Sequence, residues 1–187
     1  MSIVCYFFEQ ILFNISFSLS QTTGQYQKKS WQPPMETRFA EELIAPCGMD
    51  CNVCSGYLAK QHDVKNNGIH MSYCAGCRPR DKKCAFLKKR CTRLLNHTVQ
   101  FCYQCPVYPC EHLNDIDRRY RTLFQMSLLE NLTDIKNKGM KTFLRMQEDK
   151  WRCPTCGGVI CCHNGLCFHC GIERLRLKKN KYRWDDG

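Results

Sequence analysis

The chain has 187 residues, a formal net charge of +11 and 43% hydrophobic residues, and 17 of its residues are cysteine. That length suits one ordinary domain or two small ones, and cysteine at this density makes thiol chemistry part of the scaffold. No run of about eighteen or more uninterrupted apolar residues occurs, so stable membrane insertion is not expected.

The first twenty residues, MSIVCYFFEQILFNISFSLS, are apolar but lack a basic start, and Glu9 and Asn14 interrupt them. They fit a signal peptide poorly. The linker-like QTTGQYQKKSWQPP follows. Residues 1–34 are therefore expected to be a poorly structured extension, and Met35 is a candidate start of the organised part.

Residues 35–110 hold ten cysteines: Cys47, Cys51, Cys54, Cys74, Cys77, Cys84, Cys91, Cys102, Cys105 and Cys110. The run APCGMDCNVCSGY sets three of them in a C-x3-C-x2-C pattern. Radical-SAM enzymes use that pattern, but they need a large parallel β/α barrel, and no strand–helix alternation follows Cys54. A disulfide framework requires an oxidising compartment. The chain instead has five C-x2-C pairs, which make poor structural disulfides and good metal chelates. A cytoplasmic, metal-binding reading follows. Cys47, Cys51 and Cys54 are expected to be three ligands of a closed structural site. Cys84 and Cys91 lie seven apart, on much the same helical face as Leu87, Leu94 and Leu95, so buried packing and ligation both remain open for them.

Residues 111–150 contain no cysteine and read as helical. Leu113, Ile116, Tyr120 and Leu123 recur at helical spacing. Ser127-Leu-Leu-Glu130 is a capping box before a second helix, and Gly139 suits its end. MKTFLRMQEDK suits a further turn or two. His112 is either an extra ligand or part of a first helical turn.

Residues 151–187 hold six more cysteines and a basic tail. Cys153-Pro-Thr-Cys156-Gly and Cys167-Phe-His-Cys170-Gly read as two knuckles, each presenting two thiolates on a tight turn. Short strands at 159–162 and 166–168, joined by an Asn164-Gly165 turn, would bring the knuckles together as a zinc ribbon. The gap of ten residues between the pairs is shorter than usual for a ribbon. Cys161 and Cys162 are neighbours on a strand and should face opposite sides, as packing rather than ligating residues. His163 and His169 read as turn and surface residues.

The run from Ile44 to about Leu113 resembles the DUF3795 family, a cysteine-rich family of uncharacterised proteins. The resemblance rests on APCGMDCNVCSGYLA, CAGC at 74–77, Cys84, Cys91 and FCYQCPVYPCEHL at 101–113. It implies a metal-binding role and no reaction. It also implies that Cys84 and Cys91 belong with the ligands. The expected fold is then a small α+β protein. Residues 35–150 would form an irregular metal-binding domain with helices, and residues 151–187 an appended zinc-ribbon module with a basic tail.

The metal ligands expected are Cys47, Cys51, Cys54, Cys74, Cys77, Cys84, Cys91, Cys102, Cys105, Cys110, Cys153, Cys156, Cys167 and Cys170. Closed four-thiolate sites hold zinc structurally. Each carries a net charge of about −2, so three of them would bring the +11 chain to about +5. The alternative cofactor is an iron–sulfur cluster with an electron-transfer role, since Pro106 follows Cys105 as in ferredoxin-type sites. Gly-rich phosphate loops, paired carboxylates and activated nucleophiles are absent from the sequence, so no catalytic residue is assigned and an enzyme is not expected. The basic stretches at 78–83, 88–90 and 174–184 would meet an acidic partner, a nucleic acid or an acidic protein. In the last, Tyr182 and Trp184 are interleaved with Lys and Arg, which suits base stacking.

Overall fold

Helices form where the cysteines are absent. A computed structural model of the chain describes residues 37–81 and 88–185. The expected extension at 1–34, the ligand Cys84 and the basic residues Lys82 and Lys83 lie outside the described residues.

Helix α1 spans Ser55–Gln61 and α2 spans Thr92–Leu95. The longer helices are α3 (Glu111–Phe124), α4 (Leu128–Lys138) and α5 (Met140–Lys150). Helix α6 spans Ile172–Leu177. Short 3-10 turns at Glu41–Leu43, Cys51–Val53 and Cys102–Gln104 carry the chain through the cysteine-rich region. No helix among the described residues is long and apolar enough to cross a membrane.

The helical sequence signals correspond to specific contacts. In α3, Leu113, Ile116 and Phe124 are buried, whereas Leu123 is only half-buried. Asp117 is buried on the same face because its carboxylate accepts from Ser127 Oγ at 2.9 Å and from Leu129 N at 3.0 Å. Ser127 caps α4 by accepting from Glu130 N at 3.0 Å, as the capping box requires. Gly139 ends α4 with φ +78°. The segment after it forms all of α5 rather than a turn or two. Phe143, Leu144, Gln147 and Glu148 make one continuous buried stripe along α5, and that packing sustains the helix.

Helices α3, α4 and α5 pack in sequence, and their apolar faces close on the turn at Cys47-Gly48. A Cβ at Gly48 would lie 2.9 Å from Leu132 Cγ, so only glycine lets the turn sit this close to α4. A buried polar chain crosses this core. Asn131 Nδ2 donates to Gly48 O at 2.8 Å, Gln147 Nε2 donates to Asn131 Oδ1 at 3.4 Å, and Trp151 Nε1 donates to Gln147 Oε1 at 3.1 Å. Each member is satisfied, which lets the polar groups be buried and fixes the path from the Cys47 turn to Trp151.

A second cluster unites α1 and the loop after it with the C-terminal segment. Leu58, Ala59, Val64, Ile69 and Met71 pack on Cys161, Leu166, Phe168 and Leu175. The described residues fall within one compact unit. Cys161 and Cys162 enter different clusters, as alternation along an extended segment dictates.

No strand forms among the described residues, so the β component of the expected fold is not seen. The segments expected as strands make single antiparallel bridges, Arg152 with Val159 and Ile160 with Cys167. The ladder stops because the next backbone donor leaves it. Cys161 N still bonds to Leu166 O at 2.9 Å, but Cys162 N donates to Val53 O, also at 2.9 Å.

Candidate metal centre

The tight turns at 153–158 and 167–171 each present a pair of thiols. Cys153 N donates to Gly158 O at 2.7 Å and Gly157 N to Cys153 O at 2.9 Å. On the other side, Gly171 N donates to Cys167 O at 2.8 Å. The bridge between Ile160 and Cys167 sets the two turns face to face. The sulfurs of Cys153, Cys156, Cys167 and Cys170 then lie within 4.8 Å of one another. Cys153 Sγ is 3.6 Å from Cys170 Sγ, and Cys156 Sγ is 3.6 Å from Cys167 Sγ.

These distances suit a tetrahedral ion. Zinc–thiolate bonds of about 2.3 Å place the sulfurs about 3.8 Å apart along the tetrahedral edges. The sulfurs also crowd the backbone at Gly158. A Cβ at Gly158 would lie 3.1 Å from Cys167 Sγ and 3.3 Å from Cys156 Sγ. The four cysteines can therefore hold a metal ion. Cys153 and Cys167 are buried, while Cys156 and Cys170 are exposed, so the site lies at the surface with one side closed.

Two of the four thiols are shifted in opposite directions by their surroundings. Backbone N–H groups of Cys156 and Thr155 pull the Cys153 thiol down to about 6. Its neighbours Cys156 and Cys153 push Cys170 up to about 12, because four sulfurs this close cannot all ionise without a cation.

The surroundings show where the nearby histidines and basic residues stand. His163 stands in the expected turn but is half-buried. Its ring packs edge-on against Phe124, with centroids 4.6 Å apart, and its Nδ1 accepts from Ser55 N at 3.2 Å. Burial lowers its pKa to about 4, so it stays neutral and ties the C-terminal segment to the start of α1. The basic tail is held down at its end. Trp184 Nε1 donates to Cys162 O at 2.7 Å, its ring lies over Gly165, and Tyr182 Oη accepts from Ser72 N at 3.2 Å. Arg78 is engaged within the fold, donating to Ile44 O at 3.0 Å and lying over the Phe101 ring. His112 is exposed in the first turn of α3.

The central cysteines gather in two places. At the start of α1, Cys77 N donates to Cys51 Sγ at 3.4 Å, Cys54 caps the helix, and Cys74 N donates to Gly56 O at 2.9 Å; among the described residues only the Cys153–Cys170 set has its sulfurs all within 4.8 Å of one another. Cys102 is fastened to the Cys47 turn by its backbone N–H, which donates to Pro46 O at 2.8 Å. Burial pushes the Cys102 thiol up, and Cys47, Cys91, Cys110 and Cys105 push it in the same direction. Cys91, Cys102, Cys105 and Cys110 line one small apolar cavity with Leu94 and Leu113.

Residues 43–115, somewhat over a third of the chain, match a family described as "Protein of unknown function (DUF3795)". The match supports the resemblance for the central cysteines and stops short of the Cys153–Cys170 site. No curated protein and no solved structure matched the chain.

Proposed function

We propose that this is a metal-stapled binding module in which structural zinc ions replace part of the hydrophobic core. The observation that carries the reading is the Cys153, Cys156, Cys167 and Cys170 group, whose four sulfurs lie within 4.8 Å of one another. A closed four-thiolate site leaves no open position for substrate, so its work is to hold the fold. Structural zinc contributes on the order of 10–16 kcal/mol of binding free energy in small domains, and that becomes folding free energy. On this reading the two turns and their bridge form a compact zinc ribbon, and the remaining cysteine ligands lie in the central segment.

The binding surface on this reading is the basic C-terminal face. Arg174, Lys179 and Arg183 are exposed there. Arg176, Lys179, Lys181, His70 and Tyr182 line an open cavity of about 500 Å³. An acidic partner, nucleic acid or protein, suits such a face.

Metal analysis and a visible absorption spectrum, on full-length protein purified without oxygen or added metal, test the reading. The expected result is colourless protein containing zinc, with one equivalent lost in Cys156→Ser. Brown protein with iron and acid-labile sulfide would replace zinc by an iron–sulfur cluster and overturn the proposal.

A further inference from the structure

Two further C-x2-C pairs come together away from the C-terminal site. Cys51 opens the 3-10 turn Cys51–Val53, and Cys54 is the residue from which α1 starts. The segment carrying Cys74 and Cys77 is laid against this corner by the Cys74 N to Gly56 O bond of 2.9 Å. It lies so close that a Cβ at Gly56 would be 3.1 Å from Cys74 Cβ.

Several donors then point at sulfur. Cys77 N donates to Cys51 Sγ at 3.4 Å, and Gly76 N to Cys74 Sγ at 3.4 Å. Gly76 makes that bond at φ +103°, a conformation other residues rarely adopt, and a Cβ there would strike Leu43 Cδ2 at 2.6 Å. The Arg80 guanidinium donates to Cys74 Sγ at 3.0 Å. Donors aimed at sulfur are the outer-shell partners that orient and stabilise thiolate ligands.

We propose that Cys51, Cys54, Cys74 and Cys77 form a second four-thiolate site for a thiophilic divalent ion, zinc foremost. Four thiolates around a divalent ion leave a net charge of about −2, and Arg80 offsets part of it. Cys47 belongs instead with Cys102, to which the Pro46 carbonyl ties it. The C-x3-C-x2-C run that reads as one chelate is thus divided between two places. This inference deepens the metal-stapled reading and rests on it.

The test is alkylation of the full chain, isolated with its own metal, by N-ethylmaleimide, with peptide mapping and a zinc count. In Cys77→Ser one equivalent of zinc is lost, and Cys51, Cys54 and Cys74 become reactive together, while Cys47 and the Cys153–Cys170 set stay protected. An unchanged zinc count, or exposure of Cys47 together with Cys51 and Cys54, would overturn the grouping. A wild-type chelator titration keeps the test sharp where the variant unfolds. Cysteines sharing an ion are released together, so these four must rise at one chelator concentration, and separate steps refute the site. Protection of the Cys153–Cys170 set alone leaves the metal reading standing and sinks this inference. Protection of neither set sinks both.

Discussion

Replacing Gly158 by alanine puts the geometry of the C-terminal site to a direct test. The added methyl would meet Cys167 Sγ at 3.1 Å and Cys156 Sγ at 3.3 Å, when ordinary contact begins near 3.4 Å. The sulfurs would have to retreat by a few tenths of an ångström, beyond the roughly 0.2 Å tolerance of a metal–ligand distance. Overpacking of this kind costs about 1–3 kcal/mol, or roughly 5- to 150-fold in zinc affinity. Competition against a chromophoric chelator measures that affinity. Gly157→Ala is the control. It has φ +70° but no atom within 4 Å of a Cβ, so it carries backbone strain without crowding the sulfurs. It should lower stability by about 1–2 kcal/mol whether or not metal is bound. Wild-type zinc affinity in Gly158→Ala would refute the assignment of these four sulfurs to one ion.

Three other perturbations probe the frame that holds the site. Glu148 feels two opposing effects: burial raises its pKa, but hydrogen bonds from Thr37 Oγ1, Arg38 Nε and Arg38 N outweigh it and hold the carboxyl below its ordinary value of 4.5. A depressed carboxyl stabilises the fold above its unfolded pKa and loses that contribution as pH falls through the folded one. Glu148→Gln should therefore cost about 1–2 kcal/mol at pH 7. Its denaturation midpoint should also fall less than that of the wild type on acidification below 4.5, and parallel pH profiles would contradict this. Leu132→Ala, at a fully buried position beside Gly48, should cost about 2–5 kcal/mol in chemical denaturation; a loss under about 1 kcal/mol would mean that the α4 face is not the core. Trp184→Ala removes the bond to Cys162 O and the cover over Gly165, so limited proteolysis should cut the tail after Lys178 several-fold faster, and an unchanged rate would show that the tail is held elsewhere.

Much of this protein can be read from its residues because the signals are local. The α3 and α4 helices announce themselves through 3.6-residue spacing and a Ser127–Glu130 cap, which depend only on neighbours in the chain. The Cys153/Cys156 and Cys167/Cys170 pairs are legible for the same reason: a C-x2-C turn aims two thiols one way whatever surrounds it. Packing decided what spacing could not. His163 stands in a turn sequence, yet Phe124 and Ser55, far from it in the chain, make it a half-buried neutral ring. Tyr182 and Trp184 read as a stacking tail, and only the folded positions of Ser72, Cys162 and Gly165 show them engaged within the fold. Gly158 carries no motif of its own, since its role is to leave room for two sulfurs brought there by different turns. Residue type and spacing determine that thiols will be presented in pairs. Which pairs face each other depends on long-range backbone bonds such as Cys74 N to Gly56 O and Cys102 N to Pro46 O, and these exist only once the chain has closed around its core.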